Sequence, residues 1–227
     1  MKNENQEITK QEIKKEFQLE RMILFSDAVF AIVITLMAIE IHIPELPDGE
    51  HYTEISFFVA LKHVYPSIFG YVLSFFFVGA MWYKHLQMFS LLKDYNKGLI
   101  VRNLIFLCFI GLFPFGVSLI TLKLNFLLPA FLYFLIIILC MCAQLVLHDY
   151  ILNRSKSIII NVDYTDQKLD LKKRIYMLVL MVVIVTLAYI TYTFFLEKED
   201  KSLAMLWALV FIPISIYINK RFKLKKA

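Results

Sequence analysis

The residues able to do chemistry in this sequence are few, and they lie in its first half. Ser26 and Asp27 are adjacent inside the apolar run RMILFSDAVFAIVITLMAIE, from Arg21 to Glu40. Trp82 and His85 are three apart and so share a helix face, and Arg102 precedes Asn103 at the start of another apolar run. Together these groups can bind a proton or a cation, or they can pin helices to one another through hydrogen bonds. No HExxH or GxSxG motif accompanies them, and no nucleophile or metal constellation is visible, which leaves an enzyme the least supported class.

The elements that must position these groups are membrane helices. Of 227 residues, 59% are hydrophobic and 19% charged, with a mean hydropathy of +0.66. Soluble domains carry roughly 45–50% apolar and about 25% charged residues. The apolar surplus falls in blocks of about 20 residues, the length that spans hydrocarbon. The net charge of +5 does not point to nucleic acid, because the basic residues flank the apolar blocks and form no stripe. Cys108, Cys140 and Cys142 lie inside apolar blocks and read as small core residues, not disulfides or metal ligands. No cofactor is implied. No cleavable signal is expected, since the first apolar block is too long and lacks a small-residue cleavage site.

The chain reads as an all-α membrane protein with six spans at about 22–41, 67–91, 99–122, 126–147, 175–196 and 203–219. Residues 1–20 mix Lys and Glu at helical spacing, which suits a short solvated or interfacial helix or a disordered tail. Pro44 and Pro47 stop the first span, and a short apolar turn is expected to end before Pro66. Pro114 is expected to kink the third span. Gln144, His148 and Asp149 lie towards the inner end of the fourth and read as interfacial. The organisation is then an N-terminal segment (1–20), a six-helix domain (21–220) and a basic tail (221–227).

Lys and Arg set the orientation. With the N-terminus inside, 20 of the 24 fall on cytoplasmic segments, strong positive-inside evidence that puts both termini in the cytoplasm. Asp27 then lies near the inner end of span one, about 7–9 Å above Arg21 at 1.5 Å per residue. Spans two and three bring Trp82, His85, Arg102 and Asn103 to the same depth. A carboxylate in a span costs about 2.5–3.5 kcal/mol unless it finds partners, so these residues are expected to converge. Two readings are open for the cluster, a structural clamp and a proton- or ion-binding site.

Ile32, Thr35 and Ile39 form a second stripe on span one, at spacings of three and four. On spacing alone such a stripe is packing or lipid-facing surface. Ala28, Ala31 and Ala38 elsewhere on the helix permit close helix–helix approach. No TVGYG filter occurs, and no repeat of broken helices of the kind secondary transporters use.

The run R-x-x-x-F-S-D at Arg21, Phe25, Ser26 and Asp27, opening a first span, resembles the signature of the endosomal/lysosomal potassium channel family, transmembrane protein 175, in its bacterial six-helix form. W-x-x-H at Trp82 and His85, and RNLIFLCFIGLFPF with Asn103 and Pro114, fit the same pattern. The resemblance covers mainly the first three spans. It implies a homotetramer in a cell membrane around a pore lined by the first helix, passing potassium and possibly other monovalent cations. It also implies that Ile32 makes the narrowest aliphatic layer, Thr35 the hydroxyl layer beside it and Ile39 a second aliphatic layer, with potassium passing transiently near Ile32 and Thr35. Ile32 stands where the family has Leu. Arg21, Ser26, Asp27, Trp82, His85, Arg102 and Asn103 would form the network holding the pore helix. The rival classes are a proton-coupled carrier or proton leak using Asp27 and His85, and a non-conducting scaffold.

Overall fold

In hydrocarbon every backbone N–H and C=O must be satisfied within its own segment, so long apolar runs become helices. The computed structural model describes residues 2–42, 53–121, 127–154, 156–160, 163–194 and 206–222. These form seven α-helices: α1 (Lys2–Ile39), α2 (Glu54–Phe89), α3 (Lys97–Ile110), α4 (Phe113–Thr121), α5 (Leu128–Asp149), α6 (Thr165–Phe194) and α7 (Leu206–Arg221). A π-helical turn, Tyr150–Arg154, extends α5.

Five segments among the described residues are long and apolar enough to cross a membrane: Ile13–Ile39, Val64–Phe89, Lys97–Ile120, Leu128–Arg154 and Thr165–Phe194. The protein is therefore read as multi-pass. The sixth expected span overlaps α7, which is 16 residues long; residues 203–205 lie outside the described set, as do Pro44, Pro47, the loop at 122–126, the turn at 197–202 and the tail beyond Phe222.

Of the two alternatives for residues 1–20, the helix leading into the membrane is the one seen, since residues 2–20 continue unbroken into the first span within α1. Two local expectations are corrected. No helix ends before Pro66. Thr53 and Ser56 form a reciprocal capping box, with Thr53 Oγ1 accepting from the Ser56 N–H at 3.1 Å and Ser56 Oγ from the Thr53 N–H at 2.8 Å. That cap starts α2 well ahead of Pro66, and the proline removes only one ladder bond from a 36-residue helix. The third span does not simply kink at Pro114. It divides at Gly111 and Leu112 into α3 and α4, with Pro114 in the first turn of α4, where its missing N–H costs little.

The bundle is centred on α5, which packs against α3, α4 and α6, while α1 packs on α2, α3 and α4. On α1 the buried positions Ser26, Phe30, Val33 and Met37 step by four, three and four, giving a single inward stripe. Phe30 and Met37 meet a core that includes Val78, Phe106, Ile110 and Phe113. At Gly116 on α4 a Cβ would lie 2.9 Å from the Tyr133 ring, so only glycine permits this approach of α4 to α5. Cys140 is in the core, but Cys108 is exposed on the outer side of α3, which corrects its reading as a core residue.

The α2–α3 and α5–α6 connections are zipped together. Lys93 N–H donates to Ile158 O and Ile160 N–H to Leu91 O, both at 2.9 Å, around an antiparallel bridge of Leu92 with Ile159. Lys15 Nζ reaches Asp94 Oδ2 at 3.1 Å, tying α1 to the same collar. Partial burial pushes the Asp94 carboxyl up, but the Tyr95 N–H and Lys15 outweigh it and hold the group below the usual carboxylate range.

Candidate functional site

Ser26, His85 and Asn103 are placed by three different helices and are all essentially inaccessible to solvent. The antiparallel course of α1, α2 and α3 brings the three residues to one depth, and hydrogen bonds link them in series. Asn103 Oδ1 lies 2.9 Å from His85 Nε2, and Asn103 Nδ2 donates to Ser26 Oγ at 2.9 Å. Ser26 Oγ in turn donates to Met22 O at 2.9 Å. With the amide so oriented, His85 Nε2 carries the proton and donates. Its ring stacks on Phe89 at 3.9 Å between centroids and lies 5.8 Å from Phe30 and 5.9 Å from Phe106. His85 Nδ1 has no partner among the described residues.

Asp27 makes a separate link. Its Oδ1 accepts from Trp82 Nε1 at 2.8 Å, joining α1 to α2 one helical turn from the His85 chain. The expected cluster thus forms as two parallel ties, five of its seven residues taking part.

Arg21 and Arg102 do not join them. Arg21 lies over the Phe17 ring at 6.0 Å and shares a cleft wall with Asn103 without bonding to it. Arg102 turns to the other side of α3, where it donates to Gly98 O at 3.0 Å and lies 3.9 Å over the Tyr150 ring. The reason is helical phase: Asn103 points at α1 and α2, and its neighbour, 100° round the helix, points towards α5.

The stripe on α1 is the opposite of a core. Ile32 is 57% exposed and Ile39 64%, with Thr35 and Leu36 exposed between them. Thr35 Oγ1 donates back to Ala31 O and Ile32 O at 3.1 and 2.8 Å, so its hydroxyl is held against its own helix. Among the described residues of a single chain this face is left largely open, and Ala28, Ala31 and Ala38 are exposed beside it.

A second buried polar cluster was not anticipated. Gln144 and His148 are buried, not interfacial. Gln144 Nε2 donates to Met81 O at 2.8 Å, while Arg174 of α6 donates to Gln144 Oε1 and, at 3.5 Å, to His148 Nδ1. Lys84 pairs with Asp170 at 3.2 Å beside it. The signal in the sequence was phase: Leu171, Arg174 and Leu178 step by three and four, which turns Arg174 inward with two buried-side leucines.

Residues 21–114 match the family model described as endosomal/lysosomal potassium channel TMEM175. A Streptomyces collinus protein named as a potassium channel is 35% identical over 100 residues, 44% of this chain and 46% of that protein. The human protein named endosomal/lysosomal proton channel TMEM175 is 33% identical over 98 residues, 42% of this chain and 19% of its own length. The chain thus covers about half, or less, of the curated relatives it matches. The crystal structure of a lysosomal potassium-selective channel TMEM175 homolog from Chamaesiphon minutus is similar in fold, with a TM-score of 0.68 and 21% identity, covering 92% of this chain and all of that one.

Proposed function

We propose that this chain is a potassium-permeable cation channel of the cell membrane, a reading supported by the match of residues 21–114 to the TMEM175 model, which describes an ion-channel family and not one of enzymes. In this reading four copies surround a pore lined by α1, because one helix cannot enclose a path and closed symmetry repeats the same stripe around an axis. Ile32 forms the narrow ring, Thr35 the hydroxyl layer and Ile39 the outer aliphatic layer. A ring of isoleucines controls passage through wetting and dehydration, not through a carbonyl filter of the TVGYG kind. Residues 1–20 and 221–227 flank the six-helix channel domain on its cytoplasmic side.

The observation that carries this reading is the two-sidedness of α1. One face is locked into the subunit by Ser26, Phe30, Val33 and Met37, and the opposite face, with Ile32 and Ile39, is left largely uncovered by the described residues. The Ser26–Asn103–His85 and Asp27–Trp82 ties fix the rotation of the helix and so the direction in which the stripe points. Planar-bilayer recordings of the purified protein test it. Wild type is expected to give discrete potassium currents, and Ile32→Asn to raise conductance severalfold while relaxing cation selectivity. No current from wild type, or currents unchanged in Ile32→Asn, would remove the pore assignment.

Proton conduction is the second reading, favoured by the name of the human relative and by the unpartnered Nδ1 of His85. Against it, Asp27 and His85 sit in separate ties, and three phenylalanine rings enclose His85. Acidification of the lumen of potassium-free liposomes under an imposed pH gradient, abolished by His85→Gln, would favour protons over potassium.

A further inference from the structure

A cavity of about 300 Å³ opens between α3, the π-helical end of α5 and α6, away from the uncovered face of α1. Its polar wall is Arg102, Tyr150, Arg154 and Asp149, and its apolar wall includes Val146 and Ile175. Two cations face one anion. Asp149 is engaged, accepting from Asn153 Nδ2 at 2.8 Å and lying 3.6 Å from Arg154 Nε. Arg102 has no carboxylate partner among the described residues. Its guanidinium spends one N–H on Gly98 O and rests on the Tyr150 ring, leaving further donors unspent.

That platform is built, not accidental. The Tyr150 hydroxyl donates to Asn96 Oδ1 at 3.1 Å, the residue that caps α3. At Gly98 a Cβ would collide with that hydroxyl, so the glycine is what lets the ring lie under Arg102. The π-helical turn Tyr150–Arg154 adds a residue to the helix, re-aiming Arg154 towards the cavity mouth. The position matters as much as the charge. Arg102 lies in the second turn of α3, at the end of the bundle that the Lys/Arg distribution assigns to the cytoplasm. Beside it Val146 is 56% and Ile175 45% exposed, facing what would be acyl chains.

We propose that this cavity binds the phosphate of an anionic phospholipid, held by Arg102 and Arg154 with the acyl chains lying along Val146 and Ile175. Basic cavities between membrane helices on the cytoplasmic side suit such headgroups. The open apolar flank favours a lipid over a free phosphate. The inference needs the chain to lie in a bilayer but is independent of the pore assignment.

Native mass spectrometry of the full-length protein, purified in neutral detergent, tests it. Phosphatidylglycerol and phosphatidylcholine of equal chain length are added separately, and sodium phosphate is followed by thermal shift. Wild type is expected to retain phosphatidylglycerol in preference to phosphatidylcholine. Retention falls by roughly fivefold in Arg154→Gln and tenfold or more in Arg102→Gln/Arg154→Gln, at about 1 kcal/mol per arginine. Lys168→Gln, an exposed charge on α6, leaves it unchanged. Should the double variant fail to fold, Arg154→Gln alone decides the matter, since Arg154 is exposed. Equal retention of the two lipids, or wild-type retention in Arg154→Gln, overturns the proposal. Saturable stabilisation by sodium phosphate without phosphatidylglycerol adducts overturns it in favour of a soluble anion.

Discussion

His85 on α2 and His148 on α5 are both buried, and among the described residues each has one ring nitrogen outside hydrogen-bonding geometry with any partner, Nδ1 in the first and Nε2 in the second. Their surroundings differ in kind. His85 donates into a chain of neutral groups that ends on a backbone carbonyl of α1. His148 accepts from Arg174, a formal charge whose other side-chain acceptor is Gln144. A neutral chain can lose a member at the cost of the one or two hydrogen bonds that member makes. A half-buried guanidinium is costlier to deprive of a partner, because the charge left behind costs more than the bond itself. The first arrangement suits a helix whose rotation must be set without trapping charge. The second suits a permanent weld between α2, α5 and α6.

That comparison makes ordered predictions for unfolding in detergent. Gln144→Leu should be the most damaging, because it removes the Met81 tie and strips Arg174 of a charge-assisted bond worth about 1.5–3 kcal/mol. Asn103→Leu breaks two interhelical bonds and should cost about 1–2 kcal/mol, given averages near 0.6 kcal/mol each in membrane bundles. Ser26→Ala removes one of those bonds and should cost about 0.6 kcal/mol. If Asn103→Leu proves worse than Gln144→Leu, the neutral chain is the main weld and the contrast is reversed. Lys15→Ala, at the exposed collar, should cost less than about 0.5 kcal/mol at neutral pH. The Asp94 carboxyl is held below its ordinary value when folded, so the collar's contribution is present above the unfolded carboxylate pKa. It is lost as pH falls through the folded value, and wild type and Lys15→Ala should converge in stability there.

Much of this was legible in the sequence for a physical reason. Hydrocarbon enforces helices, so the long apolar runs announced themselves, and the antiparallel course then fixed the depths of Ser26, Asp27, Trp82, His85 and Asn103. What depth could not supply was rotation. Arg102 shares a depth with Asn103 yet faces away from it, and Arg174 looked like one more basic residue in a loop until its phase on α6 was counted. Spacing also could not say whether Ile32, Thr35 and Ile39 were core or surface. That depends on what packs against α1, which is a property of α2, α3 and α4. The extent of α2 was readable in principle from the Thr53–Ser56 cap, but Pro66 outweighed it.

The helix α1 contains neither glycine nor proline over its 38 residues. It has no joint between Lys15 at the collar and Ile32, about 25 Å along the axis at 1.5 Å per residue. Such a helix behaves as a shaft. A rotation of its collar end at Lys15 is carried towards Ile32 without a Gly or Pro hinge to absorb it, resisted by the two lateral ties and the packing of Phe30, Val33 and Met37.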